Sequence, residues 1–169
     1  MTRLSVNINK IATLRNARGC NMPNVVDAAI NCQKYGADGI TVHPRPDQRH
    51  ITRKDVFEIS PIVTTEYNIE GYPSDDFLNM VFELIPSQVT LVPDTPDVLT
   101  SCSGWDTIRF QAFLKRIISD LKSKGIRTSV FVDPKREIIE GAKYCGADRI
   151  ELYTEAYASC YVTNKEKAI

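Results

Sequence analysis

The sequence of 169 residues predicts an α/β fold with a parallel sheet, and three observations predict it. Strand-like and helix-like runs alternate six times along the chain. The strand runs are mostly apolar on both faces, as strands covered by helices on both sides are. The phrase Gly-Ala-Asp stands before a strand twice, at Gly36-Ala37-Asp38 and Gly146-Ala147-Asp148, as a reused turn. Six βα units of this kind call for right-handed crossovers, which either a doubly wound sheet or a TIM barrel provides. The first strand is not followed by the glycine-rich fingerprint of a dinucleotide fold, which favours the barrel.

In chain order, Leu4 to Ile8 alternates as a strand, and Lys10 to Arg18 reads as a loop carrying Arg15 and Arg18, closed by Gly19. Pro23-Asn24 opens a helix that Gly36 ends, and Ala37 to Val42 is the second strand. Thr52 caps the next helix, with Asp55 at the capping-box distance. Thr64 to Ile69 makes strand three, ending in Glu70-Gly71, and Asp75 to Leu84 a helix with Phe77, Leu78, Val81 and Leu84 inward. Gln88 to Val92 is strand four. The longest helix is expected over Asp106 to Lys124, strand five over Arg127 to Val132, a helix over Pro134 to Cys145, and strand six over Asp148 to Tyr153.

Composition narrows the function. Net charge is zero and the pI is near 6.7, so nothing pulls the whole chain toward nucleic acid or anionic lipid. No run approaches the roughly 18 apolar residues of a membrane span, and Met1-Thr2-Arg3-Leu4-Ser5 lacks a signal-peptide core. The expected compartment is the cytoplasm. Five cysteines, without a CxxC pair or a histidine at zinc spacing, argue for reduced thiols rather than disulfides or a structural metal. Cys102 lies in a polar loop, but it has no histidine close in sequence to act as base and reads as a spectator.

The densest chemistry lies in Thr41-Val42-His43-Pro44-Arg45-Pro46-Asp47-Gln48-Arg49-His50, which holds both histidines of the chain at a strand-to-loop junction. A histidine titrating near 6.5 suits proton transfer near neutrality, and arginines beside it suit phosphate. Pro44 and Pro46 stiffen the loop so that Arg45 holds its aim. Against this stands the plainer reading of a solvated basic loop. In a barrel, Asn7, His43, Glu70, Asp94 with Thr100, Asp133 and Glu151 all end strands at the face where barrel enzymes place their chemistry. One histidine, two carboxylates and several arginines there make a proton-transfer site with phosphate anchors and no metal constellation. The plainer alternatives are that Glu70 caps the next helix, that Glu151 pairs with Arg127 or Arg149, and that Trp105 only packs.

Several stretches carry a resemblance over nearly the whole chain. They are Asn7 to Gly19, Ala37 to His43 with Arg45, Arg49-His50-Ile51, Asn68-Ile69-Glu70, Leu91-Val92-Pro93 and Glu151-Leu152-Tyr153-Thr154. Together they resemble the pyridoxine 5′-phosphate synthase family of vitamin B6 biosynthesis. The resemblance implies a TIM-barrel enzyme that condenses 1-deoxy-D-xylulose 5-phosphate with 3-amino-2-oxopropyl phosphate, releasing phosphate and water. It implies no metal or organic cofactor, no nucleic-acid or membrane partner, and a homo-oligomer of full-length barrels. It further implies that His43 is a general base, Glu70 a second proton acceptor and Glu151 a stabiliser of charged intermediates. Arg45, His50 and Thr100 would hold the deoxyxylulose phosphate, and Asn7 and Arg18 the amino-ketone phosphate.

Two departures from the family pattern stand out. Asn9-Lys10 replaces the aspartate-histidine pair of many relatives, so Lys10 is expected to attract phosphate but no proton shuttle is assigned there. The family barrel has eight strands, whereas residues 1–169 hold one domain with strands one to six. The expectation is a partial barrel with open edges at strands one and six and little or no turnover of its own. The alternative function is a non-catalytic phosphate-binding partial barrel. An aldolase or isomerase of the same architecture is disfavoured because no lysine is clearly placed at a strand end.

Overall fold

Six strands lie side by side, all parallel, in the order β1-β2-β3-β4-β5-β6: Ser5–Asn7, Gly39–Val42, Glu66–Gly71, Gln88–Leu91, Arg127–Val132 and Arg149–Leu152. The structure is a computed structural model and describes residues 2–93 and 103–168. A doubly wound sheet reverses its strand order at a switch point, and this sheet never does. The winding is that of a barrel, curled and carrying six parallel strands with β1 and β6 at its edges.

Alternation along each strand divides the sheet into two faces. Ile40, Val42, Ile69, Val89, Leu91, Val130 and Val132 are fully buried and pack outward against the helices. The helices are α1 (Asn9–Arg18), α2 (Val25–Lys34), α3 (Arg53–Ile59), α4 (Asp75–Leu84), α5 (Gln111–Ser123), α6 (Arg136–Cys145), α7 (Glu155–Thr163) and α8 (Lys165–Ala168). The alternate positions, which face the hollow of the sheet, are polar. Asn7, Thr41, Asn68, Gln88 and Arg127 stand opposite one another across five strands, as do Glu70, Thr90, Ser129 and Arg149 across four. A polar inner row needs internal partners, and Asn68 supplies them. Its Oδ1 accepts from Gln88 Nε2 (3.2 Å) and Thr90 Oγ1 (3.1 Å), and its Nδ2 donates to Thr41 Oγ1 (3.3 Å).

The two Gly-Ala-Asp turns do the same job twice. Gly36 and Gly146 take φ of 97° and 90°, where a side chain would be strained. The following aspartates then tie the next strand to its neighbour: Asp38 Oδ2 accepts from Leu4 N–H (2.9 Å) and Asp148 Oδ2 from Thr128 N–H (2.9 Å). The predicted capping box at Thr52 and Asp55 is present, and Ser74 caps α4.

The expected loop over Lys10 to Arg18 is instead helix α1. Of the helix residues only Ala12 is fully buried, so α1 shows no apolar stripe, and its docking is polar. The longest helix starts later than expected. Asp106 Oδ1 accepts from Ile108 N–H (3.2 Å) and Arg109 N–H (2.9 Å), forming a turn ahead of Gln111. Helices α7 and α8 follow β6, beyond the last element expected from the sequence. Trp105 is a packing residue, stacked on Tyr72 at 5.9 Å.

Candidate active site

Two groups of residues meet at the C-terminal rim of the sheet. The first lies in the hollow, where Glu70 is the last but one residue of β3 and Glu151 stands in β6, both lining one cavity with Asn7, Asn68, Thr90, Ser129 and Arg149. Burial pushes the Glu70 carboxyl up to about 8, and the charge of Glu151 adds to the effect. Burial also pushes Glu151 above the ordinary carboxylate range. Two carboxylates in one desolvated hollow cannot both ionise cheaply, so at neutral pH the pair retains a proton.

Glu151 does not pair with Arg127 or Arg149, as the plainer reading had it. Both arginines reach Glu66 instead, Arg149 Nη1 lying 3.2 Å from Glu66 Oε1 and Arg127 Nη2 closer still to Oε2. Each also donates to Gln88 Oε1, Arg127 through Nε at 2.9 Å and Arg149 through the same Nη1 at 3.2 Å. Nor does Glu70 cap α4, whose cap is Ser74.

The second group is the loop from His43 to His50. His43 follows Val42, whose register partner is Ile69, so it stands level with Glu70 on the neighbouring strand. Its backbone N–H donates to Asn9 Oδ1 (2.8 Å), and the Asn9 N–H donates to Asn7 Oδ1 (2.9 Å). Asn7 and Asn9 thus hold the strand ends of β1 and β2 together at the rim. Burial, then His50 and Arg45, depress the His43 imidazole to about 3, which leaves it neutral. His50 is likewise depressed, by burial first and then by Arg45, with Arg49 and Lys10 acting in the same sense. That influence places Lys10 within the same positive field. The rings of His43 and His50 lie 5.6 Å apart.

His50 Nδ1 accepts from the Ile51 N–H (2.9 Å), so the neutral ring carries its proton on Nε2 and offers a donor. Arg45 is buried at 6% exposure, with Nε 3.9 Å from Asp47 Oδ1. Asp47 mainly holds Arg49, accepting from its Nε at 2.7 Å, and is kept below the usual carboxylate range by that bond. Two arginines, a lysine and an imidazole N–H on one loop and its neighbour make a seat for a phosphate.

Not every expected residue joins these groups. Arg18 ends α1, exposed, with no hydrogen-bond or ion-pair partner among the described residues. Thr100, Asp94 and Cys102 lie outside the described residues. Among the described residues no three His, Cys, Asp or Glu side chains are placed to hold a metal ion, and no helix is long and apolar enough to cross a membrane.

Sequence reasoning overlooked a clamp around the His50 loop. Arg15 reaches Asp55 with Nη1 (2.5 Å) and Nη2 (2.9 Å), and Asn16 Nδ2 donates to His50 O (2.9 Å). The signal was available as two consecutive polar residues, Arg15-Asn16, in a stretch without glycine or proline, which permits a helix.

Fold and rim together define a partial βα-barrel with two proton-retaining carboxyls in its hollow and a cationic loop beside them. Among solved structures, a mandelate oxidase mutant carrying an FMN adduct superposes with a TM-score of 0.66 at 11% identity, covering 98% of this chain and 54% of that one. Monomers of phosphoribosylanthranilate isomerase from Thermotoga maritima superpose with a TM-score of 0.59 at 14% identity, covering 98% and 71%. At such identities the likeness is one of fold. The chain belongs to the family described as pyridoxal phosphate biosynthesis protein PdxJ, whose model matches residues 4–169. It is 59% identical over all 169 residues to the pyridoxine 5′-phosphate synthase of Phocaeicola vulgatus and 58% identical to that of Cytophaga hutchinsonii. In both cases the match takes in 100% of this chain and 71% of the relative.

Proposed function

We propose that the rim serves pyridoxine 5′-phosphate synthase chemistry, a ring-closing condensation of 1-deoxy-D-xylulose 5-phosphate with 3-amino-2-oxopropyl phosphate. The observation that carries the reading is the pairing of a proton-retaining carboxyl couple, Glu70 and Glu151, with a cationic loop at the same strand ends. Identity to synthases over the whole of this chain and 71% of theirs supports it and disfavours a non-catalytic role.

In this reading Arg45, His50 and Thr100 take the deoxyxylulose phosphate, Asn9 and Lys10 contribute to substrate binding, and Asn7 and Arg18 belong to the amino-ketone phosphate. His43 is the base. Neutral when no ligand is present, it has a free lone pair to accept a proton from the attacking amine. A phosphate dianion seated beside it offsets the field of Arg45, raises its basicity and makes that transfer favourable. Glu70 then donates the proton it holds to the departing hydroxyl and later accepts one back. Glu151, ionised once Glu70 is neutral, stabilises iminium charge. Amine addition, dehydration, phosphate loss and ring closure each need one of these transfers.

The test is isothermal titration of the chain with 1-deoxy-D-xylulose 5-phosphate, followed by assay of pyridoxine 5′-phosphate when both substrates are supplied. Saturable binding that Arg45→Ala abolishes is expected, and whatever small turnover the six-strand chain retains should be lost in His43→Ala. Absence of deoxyxylulose phosphate binding overturns the assignment.

A further inference from the structure

Helix α1 touches the anion loop at both of its ends. At its start Asn9 Oδ1 receives the His43 N–H (2.8 Å), and seven residues on Asn16 Nδ2 donates to His50 O (2.9 Å) and Gln48 O (3.3 Å). At 1.5 Å per residue the helix is a rigid spacer of roughly 10 Å between the two attachments. We propose that Arg15 and Asn16 are positioning residues that fix where His50 stands relative to His43, so that the phosphate seat is formed before a ligand arrives.

The bonds run in one direction. Asp55 is anchored in the capping box of α3, where its Oδ2 accepts from Thr52 N–H (2.7 Å) and Thr52 Oγ1 (2.8 Å). Arg15 lays its fork on that carboxylate, and burial, which alone raises a carboxyl, is overcome so that Asp55 stays ionised. The guanidinium has donors left over. Its Nε and Nη2 reach Asn16 Oδ1 at 3.0 and 2.9 Å, and this fixes the amide of Asn16 with Nδ2 toward the loop carbonyls. Nη2 also reaches His50 O at 3.4 Å. An ion pair serving only to join α1 to α3 has no need of an amide aimed at two carbonyls of the adjoining loop. Holding the His50 carbonyl, while Nδ1 takes the Ile51 N–H, leaves Nε2 as the one ring donor and sets its direction. Pre-ordering of this kind removes the entropy cost of assembling the seat on binding.

The proposal rests on the anion-seat reading above, and the experiment separates the two. Asn16→Asp keeps the acceptor for Arg15 but removes both donors to the loop, and Arg15→Lys removes the fork. Two readouts need no ligand: amide hydrogen exchange across His43 to Thr52, and the imidazole nitrogen resonances of His43 and His50. Both variants should raise exchange in that segment about tenfold or more while α4 to α6 exchange as in the unaltered protein, and should move the His50 resonances. Affinity for 1-deoxy-D-xylulose 5-phosphate should fall about tenfold, with inorganic phosphate following the same order. Unchanged exchange and resonances in folded Asn16→Asp overturn the proposal, whatever the affinities do. Failure of the unaltered protein to bind either phosphate compound defeats the seat itself, and the ligand-free readouts still decide the clamp.

Discussion

Replacing Glu70 by glutamine removes one proton-binding site from the hollow while keeping the shape of the side chain, and the consequence for stability is calculable. An unfolded glutamate titrates near 4.5, whereas in the folded protein burial and Glu151 hold Glu70 at about 8. Between those values the native state binds a proton that the unfolded chain has released. Its contribution is therefore complete below 4.5 and is lost as pH rises through 8. His43 and His50, with depressed folded values, act in the opposite sense, but only below about 6.5 where the unfolded imidazoles charge. Above about pH 6.5 that opposition fades as the unfolded imidazoles lose their protons, and Glu70 dominates toward 8. Glu70 is itself half-titrated at about 8 and the unfolded imidazoles still oppose it at about 6.5, so at 1.36 kcal/mol per unit the unaltered protein should lose about 1 kcal/mol across this window. Glu70→Gln should lose less, retaining only the smaller slope that Glu151 supplies with the same sign. Urea unfolding at about pH 6.5 and pH 8, with equal m values, measures the difference directly. Parallel losses in the two proteins, or a variant less stable than its parent at about pH 8, would refute the claim that Glu70 is buried with its proton.

Three further outcomes follow from individual contacts. A Cβ on Gly71 falls 2.2 Å from Phe77 Cε2, so Gly71→Ala should cost about 1–3 kcal/mol by denaturant unfolding, and Phe77→Leu should recover part of it. Because His50 offers only Nε2–H, His50→Gln, whose amide nitrogen reaches a similar point, should bind deoxyxylulose phosphate better than His50→Ala by titration calorimetry. Equal affinities in the two would mean the ring donor is not used. Thr52→Ala removes half of the capping box and should lower stability by about 1 kcal/mol, read as a shift in urea midpoint.

The sheet was legible in the sequence because its outward faces carry the apolar residues that pack against helices. Ile40, Val42, Ile69, Val89 and Val130 mark strands β2 to β5 by burial. Helix α4 was legible to the residue, since Ser74 caps it and Phe77 and Val81 repeat at helical spacing. Helix α1 was not, because its docking is through Asn9, Arg15 and Asn16 rather than an apolar stripe, and periodicity senses only the stripe. The site divided in the same way. Residue type and strand position marked His43, Arg45, His50, Glu70 and Glu151. The partners of Arg127 and Arg149 were not legible, because which carboxylate captures an arginine depends on register and on side-chain reach across the intervening strands.

That capture bears on the chemistry. Arg149 stands in register with Ser129, Thr90 and, across the sheet, Glu70, so by strand position it belongs to the row of Glu70. It reaches instead toward the N-terminal end, to Glu66, and Arg127 joins it there. Glu66 therefore gathers both hollow-facing guanidiniums at one end of the sheet. At the other, Glu70 and Glu151 have no ion-pair partner among the described residues, and burial governs whether they hold a proton. An arginine turned the other way would ionise both carboxyls and leave no proton to move. The cations that do stand at the rim, Arg45 and Arg49 with Lys10 nearby, belong to the loop and to α1, and they add to the burial that depresses the two histidines beside them. Separating the charges this way lets one small hollow keep a proton-carrying carboxyl beside a cationic loop, which a single mixed cluster of the same side chains would neutralise.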